Sequence, residues 1–158
     1  QEIDCPEVYG DPALLFPRFY NPEIKKKYKI GVIPHYVDAD SNWIKSLNND
    51  EVKIIDICSD THSFIDSIKE CELIVSSSLH GIIAADAYGI PNMWIKISEK
   101  VGGSGFKFRD YFASVKRKDS CFIIEDDTNI NSVIDSIEDY KIDIDLEALY
   151  NSCPFINQ

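Results

Sequence analysis

Residues 72–91 read ELIVSSSLHGIIAADAYGIP, which predicts a strand, a hydroxyl-rich turn and a helix in immediate succession. The apolar run that ends at Val75 has the length of a buried strand, and Gly89 and Pro91 end the helix that follows. The first backbone N–H groups of a helix have no partner within the helix, and the helix dipole adds positive charge there. The pattern therefore predicts an anion-binding turn.

Strand and helix patterns alternate on both sides of this unit. Strands are predicted at 29–33, 52–57, 72–75, 93–95 and 121–124, and helices at 38–47, 61–71, 79–88, 106–114, 129–139 and 146–150. Such alternation indicates an α/β fold, in which a Rossmann-like parallel sheet is sandwiched by helices. The expected strand order is 2-1-3-4-5.

Two of the three histidines follow strands that are neighbours in this predicted order. His35 comes after the first strand and His80 after the third. These strands meet at the topological switch point, where ligands bind beyond the carboxyl ends of the strands. We therefore expect His35 and His80 to face one crevice, although His35 could equally be a turn residue. The third histidine, His62, is expected on the surface.

Composition limits the class of protein. The 158 residues, 44% of them hydrophobic, predict one globular domain. The net charge of −11 argues against a nucleic-acid-binding surface, so any anion site must be local. None of the apolar segments reaches the roughly 20 residues that cross a bilayer. The cysteines form no C-x-x-C pair, which predicts no metal site and a reduced, cytosolic compartment; they are Cys5, Cys58, Cys71, Cys121 and Cys153.

The turn itself holds the strongest candidates for chemistry. His80 carries an imidazole, which can donate or accept a proton in catalysis, and it follows three hydroxyl groups in the sequence. Ser76, Ser77 and Ser78 are expected to donate hydrogen bonds to phosphate or carboxylate oxygens, although one of them could instead cap the helix. Gly81 is expected where a ligand or a facing element comes close to the backbone.

Lys107 is a further candidate, because it follows a loop with glycines at positions 102, 103 and 105. This loop could be a lid that brings Lys107 to an anion, or it could be a flexible linker. Its glycine spacing matches neither a P-loop nor a dinucleotide-binding fingerprint.

The first 27 residues do not follow the alternation. Residues 9–17 predict a turn and a short helix, with Asp11 at the N-cap and Pro12 at the first helical position. We expect this segment to enter from an earlier domain, and the chain to be a fragment or the C-terminal half of a longer protein.

Four pieces of the sequence together resemble the polysaccharide pyruvyl transferase family. The block that carries most of the resemblance is SSLHG at 77–81, extended by AADAYGIP at 84–91. The other pieces are GDPALL at 10–15, IPHY at 33–36 and GFKFRDY at 105–111. The resemblance implies a two-lobed fold of the glycosyltransferase-B type. Residues 1–27 would then connect from an N-terminal lobe outside this chain, and residues 28–158 would form the C-terminal lobe.

The resemblance implies an enzyme that transfers pyruvate from phosphoenolpyruvate to sugar hydroxyls, forming a ketal in exopolysaccharide or cell-surface polysaccharide. It implies no cofactor besides this donor substrate. His80 would bind phosphoenolpyruvate and donate a proton as the catalytic residue, and the substrate-binding residues would be Ser76, Ser77, Ser78, Leu79, Gly81, His35 and Lys107.

The implied partners are a sugar or lipid-linked oligosaccharide acceptor and the N-terminal lobe of the same protein, with no nucleic acid. The implied location is the cytoplasm, with a peripheral position at the inner face of the membrane as the alternative. Two other functions remain open from the residues alone. One is the donor lobe of a nucleotide-sugar glycosyltransferase, whose strand-turn-helix would hold a diphosphate. The other is a non-catalytic, flavodoxin-like binding domain.

Overall fold

A computed structural model describes residues 7–153 of the chain. Its centre is a five-stranded, all-parallel sheet with the order β2-β1-β3-β4-β5. The strands are β1 (Tyr28–Ile33), β2 (Val52–Ile54), β3 (Cys71–Ser76), β4 (Asn92–Lys96) and β5 (Cys121–Ile123). The Rossmann-like fold and the strand order predicted from the sequence are both confirmed.

Helices connect the successive strands and cover both faces of the sheet. They are α1 (Asn42–Ser46), α2 (Thr61–Lys69), α3 (Leu79–Ala87), α4 (Phe106–Ser114), α5 (Ile130–Asp135) and α6 (Leu146–Asn151), with short 3-10 helices at Pro12–Arg18 and Tyr36–Asp38. The main difference from the prediction is α1, which begins at Asn42 instead of residue 38. Ser41 has extended backbone angles and its Oγ accepts the Ile44 N–H at 3.4 Å, so the helix starts after Ser41.

Successive side chains of the central strands point to opposite faces of the sheet, and most of them are buried on both faces, as a sheet covered by helices on both sides requires. On β1, Ile30 and Val32 pack with Trp43 on one face of the sheet. Ile33 points to the other face, where it joins the cluster that includes Ile65 of α2. Strong burial on both faces leaves the carboxyl ends of β1 and β3 as the place where polar side chains gather.

The segment before β1 packs on α3. Asp11 caps the first 3-10 helix, with its Oδ1 accepting the Ala13 N–H at 2.8 Å, and Pro12 occupies the first position, as predicted. Leu14 and Leu15 of this helix are buried in one cluster with residues of α3 and α4. Within residues 7–153, no helix is long and apolar enough to cross a bilayer.

A buried polar network joins the end of α3 to the elements around it. The Asp86 carboxylate accepts hydrogen bonds from Asn92 Nδ2 at 2.7 Å, from the Tyr111 hydroxyl at 2.8 Å and from the Tyr140 hydroxyl. Arg117 Nη1 lies 3.3 Å from both carboxylate oxygens, and the guanidinium stacks 3.7 Å from the centre of the Tyr140 ring. Burial, followed by the charge of Asp86, raises the pKa of the Tyr111 hydroxyl, which keeps it a donor. The network therefore fixes α3 against the sheet.

Candidate functional site

The turn after β3 is held to the end of β1 by hydrogen bonds of the Ser77 side chain and backbone. The His35 N–H donates to Ser77 Oγ at 2.8 Å, and the Ser77 N–H donates to the Ile33 carbonyl at 3.1 Å. Ser77 is 2% exposed. These bonds bring the segment that carries His35 against the segment that carries His80, as the strand order predicted.

Ser76 is part of the scaffold of the turn. Its hydroxyl is fully buried, lies 2.9 Å from the Ile33 carbonyl and 2.8 Å from the Ser78 carbonyl, and accepts the Ser78 N–H at 3.0 Å. A Cβ on Gly81 would lie 2.3 Å from Ser76 Oγ, so Gly81 is required by the close approach of α3 to β3. A direct ligand contact by Ser76 would require the turn to open.

The first turn of α3 presents its donors beyond the sheet edge. Ser78 is the N-cap residue, and its side chain makes no capping hydrogen bond. The N–H groups of Gly81 and Ile82 bond to the Ser78 carbonyl, whereas those of Leu79 and His80 precede the first intrahelical bonds. The His80 side chain is exposed. This arrangement suits an anion next to an imidazole.

His35 is held in one tautomer by its own turn. Its Nδ1 accepts the Val37 N–H at 3.4 Å, which leaves Nε2 to carry the proton of the neutral ring. Burial and then the charge of Lys107 lower the pKa of His35, while the charge of Asp38 acts in the opposite direction. The neutral ring with an Nε2–H donor therefore dominates at pH 7.

Asp38 is a residue of this edge that the sequence reasoning missed as a site residue. It is 2% exposed, and its Oδ1 accepts the Ser98 hydroxyl at 2.5 Å. Among the described residues, its Oδ2 is buried without a hydrogen-bond partner. The sequence predicts Asp38 as the first residue of a helix at 38–47, where a carboxylate is common. Only the position of Ser98 after β4 reveals that the carboxylate is buried.

Lys107 lies on the first turn of α4, a helix that contributes lining residues to two cavities. Helix α4 follows Gly105, which has a φ of +77°. On one side, a cavity of about 620 Å³ is lined by Lys107, Leu79 and the segment 8–12. On the other, a cavity of about 420 Å³ is lined by Ser77, Arg109 and the glycine loop 102–105. His80 is among the lining residues of neither cavity, since it stands exposed at the edge.

The structure thus brings together most of the residues that the sequence singled out. Ser77 and His35 are in direct contact, Lys107 is close enough to affect the pKa of His35, and Leu79 shares a cavity with Lys107. His62 is exposed on α2 with its ring centre 4.3 Å from that of Tyr20, as a surface histidine. The carboxyl-terminal edge of the sheet offers hydrogen-bond donors, the ammonium group of Lys107 and an exposed imidazole. Such groups can bind and protonate an anionic substrate.

A protein-family model described as polysaccharide pyruvyl transferase matches residues 2–99, a range that includes His35 and the whole turn through Gly81. The chain belongs to this family. This match confirms the resemblance drawn from the motifs. The polysaccharide pyruvyl transferase family is a family of transferases. The match ends before Lys107, whose assignment to substrate binding stays a prediction.

This pyruvyl transferase family member is also similar to two curated proteins. An uncharacterized protein of Acanthamoeba polyphaga mimivirus is 34% identical over 153 residues, which cover 90% of this chain and 52% of that protein. The succinoglycan biosynthesis protein ExoV of Rhizobium meliloti (strain 1021) is 31% identical over 105 residues, which cover 64% of this chain and 32% of ExoV. The matched regions therefore span about half or less of these relatives. No solved structure matches the chain with significance.

Proposed function

We propose that this chain forms the phosphoenolpyruvate-binding part of a pyruvyl transferase that acts in exopolysaccharide or cell-surface polysaccharide biosynthesis. The observation that carries the proposal is the exposed His80 on the first turn of α3, at the switch point of a chain that belongs to this family. The name of ExoV, a succinoglycan biosynthesis protein, supports the polysaccharide context.

The donors at this edge match the chemistry of phosphoenolpyruvate, which carries a phosphate and a carboxylate. The N–H groups of Leu79 and His80 and the hydroxyl of Ser78 offer hydrogen bonds at the positive end of the α3 dipole. His35 adds its Nε2–H, and Lys107 adds an ammonium group. A local set of donors of this kind holds an anion despite the overall charge of −11.

In the proposed reaction, protonated His80 gives its proton to the methylene carbon of phosphoenolpyruvate, which becomes a methyl group. A sugar hydroxyl oxygen then bonds to the neighbouring carbon as its own O–H bond breaks. A second sugar hydroxyl bonds to the same carbon, and the bond from that carbon to the phosphate oxygen breaks. Of the two hydroxyl protons, one restores His80 and the other leaves with phosphate. The products are the pyruvate ketal and inorganic phosphate.

The acceptor in this proposal is a sugar or a lipid-linked oligosaccharide, and a second lobe of the same protein completes the cleft. The proposed location is the cytoplasm or the inner face of the membrane, where lipid-linked acceptors would be available. The acceptor and the location are proposed from the family. The second lobe is supported by the matched relatives, which extend well beyond the region that this chain covers.

The donor is tested by titrating the chain with phosphoenolpyruvate and, in parallel, with nucleotide sugars while thermal stability is followed. A ligand at 100 times its dissociation constant stabilises the folded state by about 2.7 kcal/mol. We expect phosphoenolpyruvate to stabilise the protein. Stabilisation by a nucleotide sugar alone would instead support the glycosyltransferase alternative.

The role of His80 is tested with His80→Ala, with His62→Ala as the matched control at an exposed histidine outside the site. We expect His80→Ala to abolish the effect of phosphoenolpyruvate and His62→Ala to preserve it. In the full-length protein, wild-type pyruvylation and wild-type phosphoenolpyruvate affinity in His80→Ala would show that the assignment is wrong.

A further inference from the structure

The cavity of about 620 Å³ has a composition that the donor substrate does not explain. It lies between the segment 8–12, the first half of α3 and one side of α4 along its whole length. Its volume falls within the range of roughly 300–1,000 Å³ that is typical of small-molecule sites. Of its lining residues, only Leu79 and Lys107 are predicted from the sequence to contact the donor.

Two aromatic side chains line the cavity while remaining largely exposed. Tyr9 is 66% exposed and Phe106 is 67% exposed, whereas the neighbouring Tyr111 is buried and bonded to Asp86. Exposed aromatic rings in a concave site offer flat apolar surfaces to a ligand. Pyranose rings have apolar C–H faces that fit such surfaces.

The polar groups of the cavity favour a neutral ligand that is rich in hydroxyls. Among the described residues, its charged lining residues are two carboxylates, Asp11 and Asp110, and one cation, Lys107. The Ala13 N–H fixes the Asp11 carboxylate through Oδ1 at 2.8 Å. Two carboxylates would repel a multiply charged anion such as phosphoenolpyruvate, whereas they accept hydrogen bonds well from sugar hydroxyls.

The cavity also borders the proposed donor site. Leu79, which lines it, directly precedes His80 on the first turn of α3. Lys107, which also lines it, acts electrostatically on His35. A ligand in the cavity would therefore lie beside an anion bound at the turn.

We propose that this cavity binds the acceptor sugar, with Tyr9 and Phe106 against the ring faces and Asp11 accepting a hydrogen bond from a ring hydroxyl. The proposal rests on the proposed function, because it assigns the second substrate of the same reaction. It makes Asp11 and Phe106 determinants of acceptor binding that leave donor binding unchanged.

The test is a set of NMR titrations of the isotopically labelled chain with the methyl glycosides of glucose, galactose and mannose, followed by phosphoenolpyruvate. We expect at least one glycoside to shift the amide signals of Tyr9, Leu79 and Phe106. Phe106→Ala should lower the affinity for that glycoside about threefold to tenfold, which corresponds to the loss of one aromatic contact. Asp11→Asn should weaken it as well, while the fold is preserved because Asn is an equally good N-cap.

Two matched controls lie outside the cavity. Phe19→Ala removes an aromatic ring that is 73% exposed, and Asp145→Asn changes another capping carboxylate, the one that accepts the Glu147 and Ala148 N–H groups. Neither variant should change glycoside affinity, and all four variants should keep the wild-type response to phosphoenolpyruvate.

The outcomes separate the two proposals. Suppose that phosphoenolpyruvate shifts the His80 amide signal but no glycoside shifts the amide signals of the cavity residues. The acceptor assignment is then wrong and the donor proposal stands. The same conclusion follows if the cavity variants bind glycosides with wild-type affinity. If a glycoside fills the cavity and phosphoenolpyruvate does not bind, the proposed function is wrong and the sugar site stands. If neither ligand binds, both proposals are wrong.

Discussion

Replacing Asp86 with alanine removes the carboxylate on which the buried network around α3 depends. The side chains of Asp86 and Arg117 are only 1% and 4% exposed, so Arg117 would keep its charge in a site that water does not reach. Breaking a buried ion pair by removing one partner costs about 3–5 kcal/mol, because the remaining charge is left uncompensated. Tyr111 and Tyr140 would also lose the acceptor of their hydroxyl groups. For a chain of 158 residues, this loss lowers the melting temperature by roughly 6–20 °C.

The assay is urea unfolding of wild-type and Asp86→Ala proteins, followed by circular dichroism and tryptophan fluorescence together. Coincident transitions by the two probes justify a two-state free energy of unfolding. Asp143→Ala is the matched control, because it removes an aspartate whose ion pair with Lys116 is exposed, with side chains 72% and 71% exposed. We expect the control to unfold as the wild type does.

A double variant tests the physical cause. Once Asp86 is alanine, Arg117→Met should cost little or even restore stability, because it removes the uncompensated charge. The effects of the two single substitutions should therefore be strongly non-additive, with a coupling of roughly 0.5–3 kcal/mol or more. The reasoning is refuted if Asp86→Ala destabilises no more than Asp143→Ala, or if the two single substitutions simply add.

Three further outcomes are expected at the turn and at His35. Gly81→Ala should destabilise the fold by about 1–3 kcal/mol in urea unfolding, because its Cβ would lie 2.3 Å from Ser76 Oγ; a neutral result would show that the turn adapts. Lys107→Ala should raise the pKa of His35, and Asp38→Asn should lower it, as measured by NMR titration of the ring protons; shifts of the same sign would contradict the charge assignment. Because folding lowers the pKa of His35, the unfolded chain takes up its proton first as the pH falls. The free energy of unfolding of the wild type should therefore decrease as the pH falls from the ordinary pKa of histidine, about 6.5, to the lower pKa of His35 in the folded protein. Urea unfolding of His35→Gln should show a smaller decrease over the same pH range.

The strand, turn and helix at residues 72–91 could be predicted from local sequence patterns. The run from Glu72 to Val75, the glycine at position 89 and the proline at position 91 predicted the strand and the helix with little error, since these signals act within a few residues. Gly89 has a φ of +64°, as its role at the helix end requires. The convergence of His35 with the turn was predictable as well, because parallel strands with right-handed crossovers leave few possible strand orders.

The tasks of single side chains in the turn were not predictable in the same way. Ser76, Ser77 and Ser78 are identical in the sequence, yet Ser76 holds the turn internally, Ser77 bonds to the His35 N–H, and the Ser78 hydroxyl makes no capping bond. Their difference depends on where the Ile33 carbonyl and the β1 segment lie. Those positions are set by strand pairing between residues about 43 positions apart.

The sequence by itself determined the layer architecture, the strand order and the edge of the sheet at which the turn lies, because hydrophobic periodicity and helix-end signals are local and repeat along the chain. Only the tertiary structure decided that Asp86 is an architectural residue and that Asp38 is buried without a full set of partners among residues 7–153. It also decided that Asp11 and Phe106 share a cavity with Lys107. These facts depend on contacts between distant segments, and burial turns an ordinary surface carboxylate into one whose charge must be met by a specific partner.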